Sequence, residues 1–177
     1  MKIRRIVTGN DEQGNAIFLD DNEVNPIEGS LVPGYQSFEF WSTKDDRTVP
    51  HKGELAKADN YFPSVNGSIF RVITLPPKIE GQTQFNFSPE AIAETKAILP
   101  GLIEHLDPTS PGMHTTNSID YGIVLKGEIY LELDNGAERL LTAGDCVVQN
   151  GTRHAWVNKS SDPTIMAFVL LGAKREN

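Results

Sequence analysis

One cysteine, Cys146, stands among 177 residues. It can form neither an internal disulfide nor a thiolate zinc cluster, and it suits a reducing compartment. No apolar run approaches the ~20 residues that cross a bilayer. The first seven residues are basic and apolar, but Thr8-Gly9-Asn10-Asp11 stops them far short of a signal core. Positive charge is scarce: 16 Lys and Arg face 24 Asp and Glu, a net charge of −8. That balance argues against nucleic acid, whose phosphates are bound by clustered Lys and Arg. These absences lead us to expect a soluble, cytoplasmic protein that meets neither nucleic acid nor membrane. At roughly 100–200 residues per domain, the length favours one domain over residues 1–177, large enough to bury a core without cross-links.

What is present is a scatter of 15 Gly and 11 Pro with short apolar runs between them. This pattern predicts many short strands rather than a helical bundle. Strands are expected over 3–8, 16–19, 37–42 and 68–75 in the first half, with long polar loops over 22–33 and 45–65. One helix is expected: Ser88 caps it, Pro89 takes its first position, Glu90 and Glu94 suit its positive end, and Pro100-Gly101 stops it.

Beyond Pro111 the strand signal is dense: 119–125, 128–133, 139–141, 146–149, 154–158 and 164–171. Asp134-Asn135-Gly136 marks a hairpin, since Asn and Gly tolerate the positive φ of a type I′ turn. Strands about 8–12 residues apart indicate a closed antiparallel barrel or jelly roll.

Three polar residues in this half form a set. His114 precedes a strand, Asp120 lies at its start, and His154 opens a strand two elements later. Alternation puts Asp120, Gly122 and Val124 on one face and Tyr121, Ile123 and Leu125 on the other. Gly122 is expected to leave open space beside Asp120. Two imidazoles and a carboxylate can make the facial triad that holds Fe(II) or Mn(II). Each alone is ordinary: a loop histidine, a strand-end aspartate, a core histidine.

A resemblance binds them together. His114-Thr115-Thr116-Asn117-Ser118-Ile119-Asp120, then six residues and Gly127, resembles the first motif of the cupin superfamily. The stretch 144–154, with Asn158 four residues on, resembles the second. Two departures stand out: Thr116 takes the place of the family's second histidine, and Asp120 that of its glutamate. The resemblance implies an all-β antiparallel double-stranded β-helix, the cupin jelly roll, with its core over about 111–171. N-terminal extension strands, long loops and one short helix occupy 1–110. It implies His114, Asp120 and His154 as ligands of a divalent metal ion (Fe, Mn, Ni or Zn). The same three residues otherwise serve a metal-free pocket in which a histidine beside an aspartate moves a proton.

Around this catalytic set, Thr116, Gly122, Trp156 and Arg71 are expected to shape a substrate pocket. Trp156 shares a strand face with His154, and Arg71 lies in an apolar strand where a guanidinium can bind a carboxylate. Phe38 and Phe40 share a face that Trp41 does not. Arg153 is read as solvated surface, Cys146 as a small buried hydrophobe, and His51 and His105 as loop residues. The function expected is a small-molecule enzyme with oxygenase, lyase or isomerase chemistry on a small organic acid, carbonyl compound or aromatic metabolite. The alternative is a non-catalytic binding module. The apolar face bearing Tyr121, Ile123 and Leu125 needs cover, and the resemblance implies a homodimer, which light scattering of a 19.5 kDa monomer would refute.

Overall fold

A computed structural model describes residues 2–50, 59–79, 81 and 84–176. His51 therefore lies outside the described residues. The strands are β1 (Ile3–Asn10), β2 (Ala16–Val24), β3 (Ile27–Glu28), β4 (Gln36–Thr43) and β5 (Ser68–Leu75). Helices α1 (Pro89–Ile98) and α2 (Leu102–His105) follow. The second half holds β6 (Ser118–Lys126), β7 (Glu128–Glu132), β8 (Glu138–Thr142), β9 (Cys146–Asn150), β10 (Ala155–Val157) and β11 (Thr164–Gly172). The chain is mostly β, with few and short helices, as the strand spacing indicated.

A six-stranded sheet in the order β3-β4-β5-β11-β6-β9 packs against a three-stranded sheet, β10-β7-β8. Alternation sorts the residues. Ile69 and Ile73 of β5, Met166, Phe168 and Leu170 of β11, and Val124 of β6 point between the sheets. There they meet Ile129, Leu141 and Trp156 of the smaller sheet. The opposite face of β4 and β5 carries a second cluster, Phe38, Phe40 and Val72, covered by Ile3 and Val24 from β1 and β2. Phe38 and Phe40 thus belong to this outer layer rather than to the barrel interior. β1 and β2 form a separate ribbon, tied across its width by ion pairs of Arg4 with Asp21 and Arg5 with Asp20.

The expected loop over 22–33 is in part strand: β2 runs to Val24, and β3 pairs with β4. Its polar run Asp20-Asp21-Asn22-Glu23 hides a strand whose partners are basic. The hairpin at Asp134–Gly136 turns with positive φ at both Asn135 (59°) and Gly136 (72°), where Asn and Gly cost little. Helix α1 starts as expected, the Ser88 hydroxyl accepting from the Ala91 N–H at 3.2 Å. Gly101, at φ 87°, ends that helix by turning the chain into the unforeseen α2.

Two expectations fail here. Cys146 is exposed, because β9 is the sheet's edge strand and Cys146 shares its outward face with Val148. Nor is there open space at Gly122: a Cβ there would lie 2.7 Å from Phe168 Cε1 and 3.0 Å from Val147 Cγ1. Gly122 stands opposite Phe168 in register, so the ring fills the place its own side chain would take. On the outer face, Tyr121 and Leu125 are each 50% exposed in the single chain.

Candidate functional site

Sheet register places the polar groups. Along one inner row, Ile69 faces Leu170, which faces Asp120, which faces Gln149. Along the next, Glu39 faces Arg71, which faces Phe168, which faces Gly122. Two buried charges, Arg71 and Asp120, are thereby set among apolar neighbours on one concave face. The opposite wall brings His114 and His154, whose main chains bond each other reciprocally, N to O at 2.9 and 3.0 Å. Helix α1 and its continuation close a further side with Ile98, Leu99, Leu102 and Leu106.

The cavity between these walls has a volume of about 140 Å³ and a largely apolar lining. His114, Asp120, His154, Trp156 and Arg71 all line it, so the expected catalytic set and two of the four expected pocket residues share one space. Thr116 and Gly122 are not among the lining residues. Thr116 is buried with its hydroxyl accepting from Ser118, and Gly122 lies beneath Phe168.

The imidazole rings of His114 and His154 lie 4.2 Å apart, and Trp156 stands edge-on to His154 at 5.7 Å. His114 Nδ1 bonds the Gly112 carbonyl at 3.0 Å, and His154 Nδ1 bonds that of Thr152 at 2.9 Å. A carbonyl only accepts, so each Nδ1 carries the ring proton and each Nε2 keeps its lone pair. Burial holds the pKa of His154 down to about 3, with His114 adding to the effect against the Thr152 carbonyl. His114 is lowered too, chiefly by burial. Both rings are neutral near pH 7.

Asp120 is 5% exposed, and its Oδ1 has no hydrogen-bond partner among the described residues. Burial raises its pKa to about 6, opposed by the Ser118 hydroxyl and by Arg71. Arg71 is engaged in part: its buried Nε has no hydrogen-bond partner among the described residues, but its charge and its terminal nitrogen are spoken for. It lies 3.1 Å from Glu39, donates to the Tyr61 carbonyl, and places its guanidinium 3.7 Å from the Tyr61 ring centroid. Tyr61 shares a hydroxyl–hydroxyl bond with Tyr35. The expected carboxylate binder is thus matched by a carboxylate of its own sheet. Arg153 is not free surface either, since it pairs with Asp107 and Asp134 at 2.6 Å each.

The two imidazoles present suitable lone pairs, yet among the described residues no three His, Cys, Asp or Glu side chains are placed to hold one ion. Asp120 lines the same cavity without joining the histidines as a ligand set. Sequence reasoning missed Tyr35, Tyr61, Phe168 and the α1–α2 wall. Phase on β11 could have found Phe168, whereas Tyr61 sits in a loop that periodicity does not read.

Comparison with known proteins agrees with this architecture. Residues 102–170 match the model of the cupin domain family. Over that stretch the chain is similar to the cupin domain family. It is 56% identical over 63 residues to phomopsin biosynthesis cluster protein C′ of Diaporthe leptostromiformis, covering 35% of this chain and 33% of that one. The matched stretch is thus about one third of that relative's length. It is 27% identical over 178 residues to the cupin-domain-containing oxidoreductase fogC of Aspergillus ruber, covering 96% of this chain and 72% of that one. The Schizosaccharomyces pombe Cnp3 cupin domain superposes with a TM-score of 0.49 at 8% identity, over 97% of this chain and 89% of that one. So slight a likeness carries no argument.

Proposed function

We propose that this protein is an enzyme that binds a small, largely apolar molecule carrying a hydroxyl or carbonyl group inside the barrel and moves a proton at Asp120. The observation that carries the reading is the Asp120 carboxyl itself, buried, unpartnered at Oδ1 and raised to about 6 in a cavity of apolar walls. A carboxylate whose pKa lies near working pH can take a proton from a hydroxyl or an activated C–H group and return it. The neutral His114 and His154 accept hydrogen bonds from the bound molecule through Nε2 and hold it against Asp120. Isomerisation and dehydration are within reach of these groups alone.

The similarity to fogC favours a second reading, an oxidation in which Asp120 would again remove the hydroxyl proton while two electrons and the second proton pass to an external acceptor such as dissolved oxygen. The similarity to a biosynthesis cluster protein supports a substrate from biosynthetic metabolism.

The test is a panel of cyclic alcohols, phenols and ketones incubated with the protein in D₂O, followed by NMR, with dissolved oxygen monitored in parallel. Expected is solvent-deuterium incorporation or conversion that Asp120→Asn lowers about 10²–10⁴-fold. Turnover unchanged in Asp120→Asn would refute the role of Asp120. Conversion that consumes oxygen would select the oxidative reading.

A further inference from the structure

The tautomers fixed by the main chain decide what this cavity can hold. His114 and His154 each spend their one N–H on a backbone carbonyl, at 3.0 and 2.9 Å, which leaves two bare Nε2 lone pairs on adjoining rings 4.2 Å apart. Asp120 adds a buried oxygen that no donor reaches among the described residues. All three groups are hydrogen-bond acceptors, and none supplies a donor to the others. A single metal ion does not answer this arrangement, because the three are not placed to share one.

The cation of the cavity is no counterweight. Arg71 is held at 3.1 Å from Glu39 and lies against the Tyr61 ring, so its charge is matched within the sheet. The Tyr35–Tyr61 hydroxyl pair keeps one proton to donate, but a neutral donor does not repay the lost hydration of an anion. A carboxylate entering here would meet the buried Asp120, and the Arg71 charge, although its Nε has no hydrogen-bond partner among the described residues, is already matched by Glu39. Size narrows the class further: the cavity measures about 140 Å³, and an apolar cavity of about 150 Å³ admits benzene.

We infer that the cavity selects a neutral single-ring molecule bearing at least two O–H donors, one met by the His114–His154 pair and one by Asp120. The inference rests on the cavity being the substrate site, as proposed above. It excludes small organic acids as substrates and names dihydroxy aromatic or alicyclic compounds in their place. Unmet acceptors in a buried site reject an analogue that lacks the donor, since each keeps its desolvation cost unpaid.

Calorimetric titration at neutral pH without oxygen tests this, with catechol, resorcinol and hydroquinone, their dimethyl ethers, and benzoate as probes. At least one dihydroxybenzene should bind, with its dimethyl ether and benzoate each weaker by about tenfold or more. Asp120→Asn, which adds a donor at the same place, should shrink the diol-to-ether ratio. If that variant does not fold, His154→Gln gives the same comparison at the other contact. Equal or tighter binding of an ether or of benzoate overturns the inference. So does the failure of all three diols to bind up to their solubility. Binding is read without turnover, so the two claims fail separately. A diol preference with no catalysis removes the enzyme reading alone, and Asp120-dependent catalysis with no such preference removes this one alone.

Discussion

His114 and His154 clasp each other by main chain and by ring: their backbones exchange two hydrogen bonds, and their imidazoles lie 4.2 Å apart. Two histidines so close and so buried do not share positive charge, and the pair stays neutral through the physiological range.

That neutrality sets a stability profile. His154 has a folded pKa of about 3, below the ordinary value of about 6.5, so between these values the unfolded chain binds more protons. Acidification through that window should lower the melting temperature. Asp120 acts oppositely: its folded pKa of about 6 makes the native state bind the extra proton between about 4 and 6. In His154→Leu the contributions of Asp120 and of the lowered His114 remain and oppose each other, so the loss of melting temperature from pH 7 to 5 should shrink. Ring NMR should find no titration of His154 near 6.5, and a midpoint there would refute the assignment.

Arg71 and Glu39 form the most enclosed ion pair described, with the arginine side chain 3% exposed. Arg71→Met leaves Glu39 without its counter-charge and the Tyr61 carbonyl without its donor. Urea unfolding should show a loss of about 2 kcal/mol, below the 3–5 of fully buried pairs because Glu39 is 29% exposed. Adding Glu39→Gln should recover part of it. A neutral Arg71→Met would mean that the pair contributes nothing.

Gly122 is required by its neighbour. Gly122→Ala puts a methyl 2.7 Å from the Phe168 ring edge and should destabilise by about 1–3 kcal/mol. Phe168→Leu should rescue much of that loss when combined with it, which a double-mutant cycle measures.

Arg153 fastens the 107–113 turn to the neighbouring hairpin through Asp107 and Asp134, and that turn carries Gly112, whose carbonyl fixes the tautomer of His114. Arg153→Ala should cost less than about 1 kcal/mol, as exposed pairs do, while speeding amide exchange over 107–113. The Asp107 carboxyl, held down to about 2 by Thr109 and Arg153, keeps the clasp intact as pH falls until that value is approached. Unchanged exchange in the variant would show that the clasp does not order the turn.

The barrel half of the molecule was legible because each of its strands pairs alternation with a turn former. Residues 68–75 were read to their observed bounds, and the inward phase of Asp120 and Val124 followed from period two alone. The two histidines were legible through motif spacing, and their shared cavity is what the structure shows. What escaped was decided across strands rather than along them. Nothing local to Cys146 says that its strand is an edge, and nothing local to Gly122 says that Phe168 lies opposite. The charged ribbon of β2 was hidden because its strand character depends on Arg4 and Arg5 of β1 rather than on apolar alternation. The engagement of Arg71 by Glu39 likewise needs the β4–β5 register.

The reciprocal backbone bonds between His114 and His154 join two points separated by β6, β7, β8 and β9. Long sequence separation makes such a closure slow, because loop entropy is spent before the contact returns anything. The β5–β11 ladder, which joins Ser68 to Leu171, spans still more chain, so the cavity should be complete only once β11 has docked, and a chain still emerging from the ribosome short of residue 164 would own the histidine pair but not the wall that faces it.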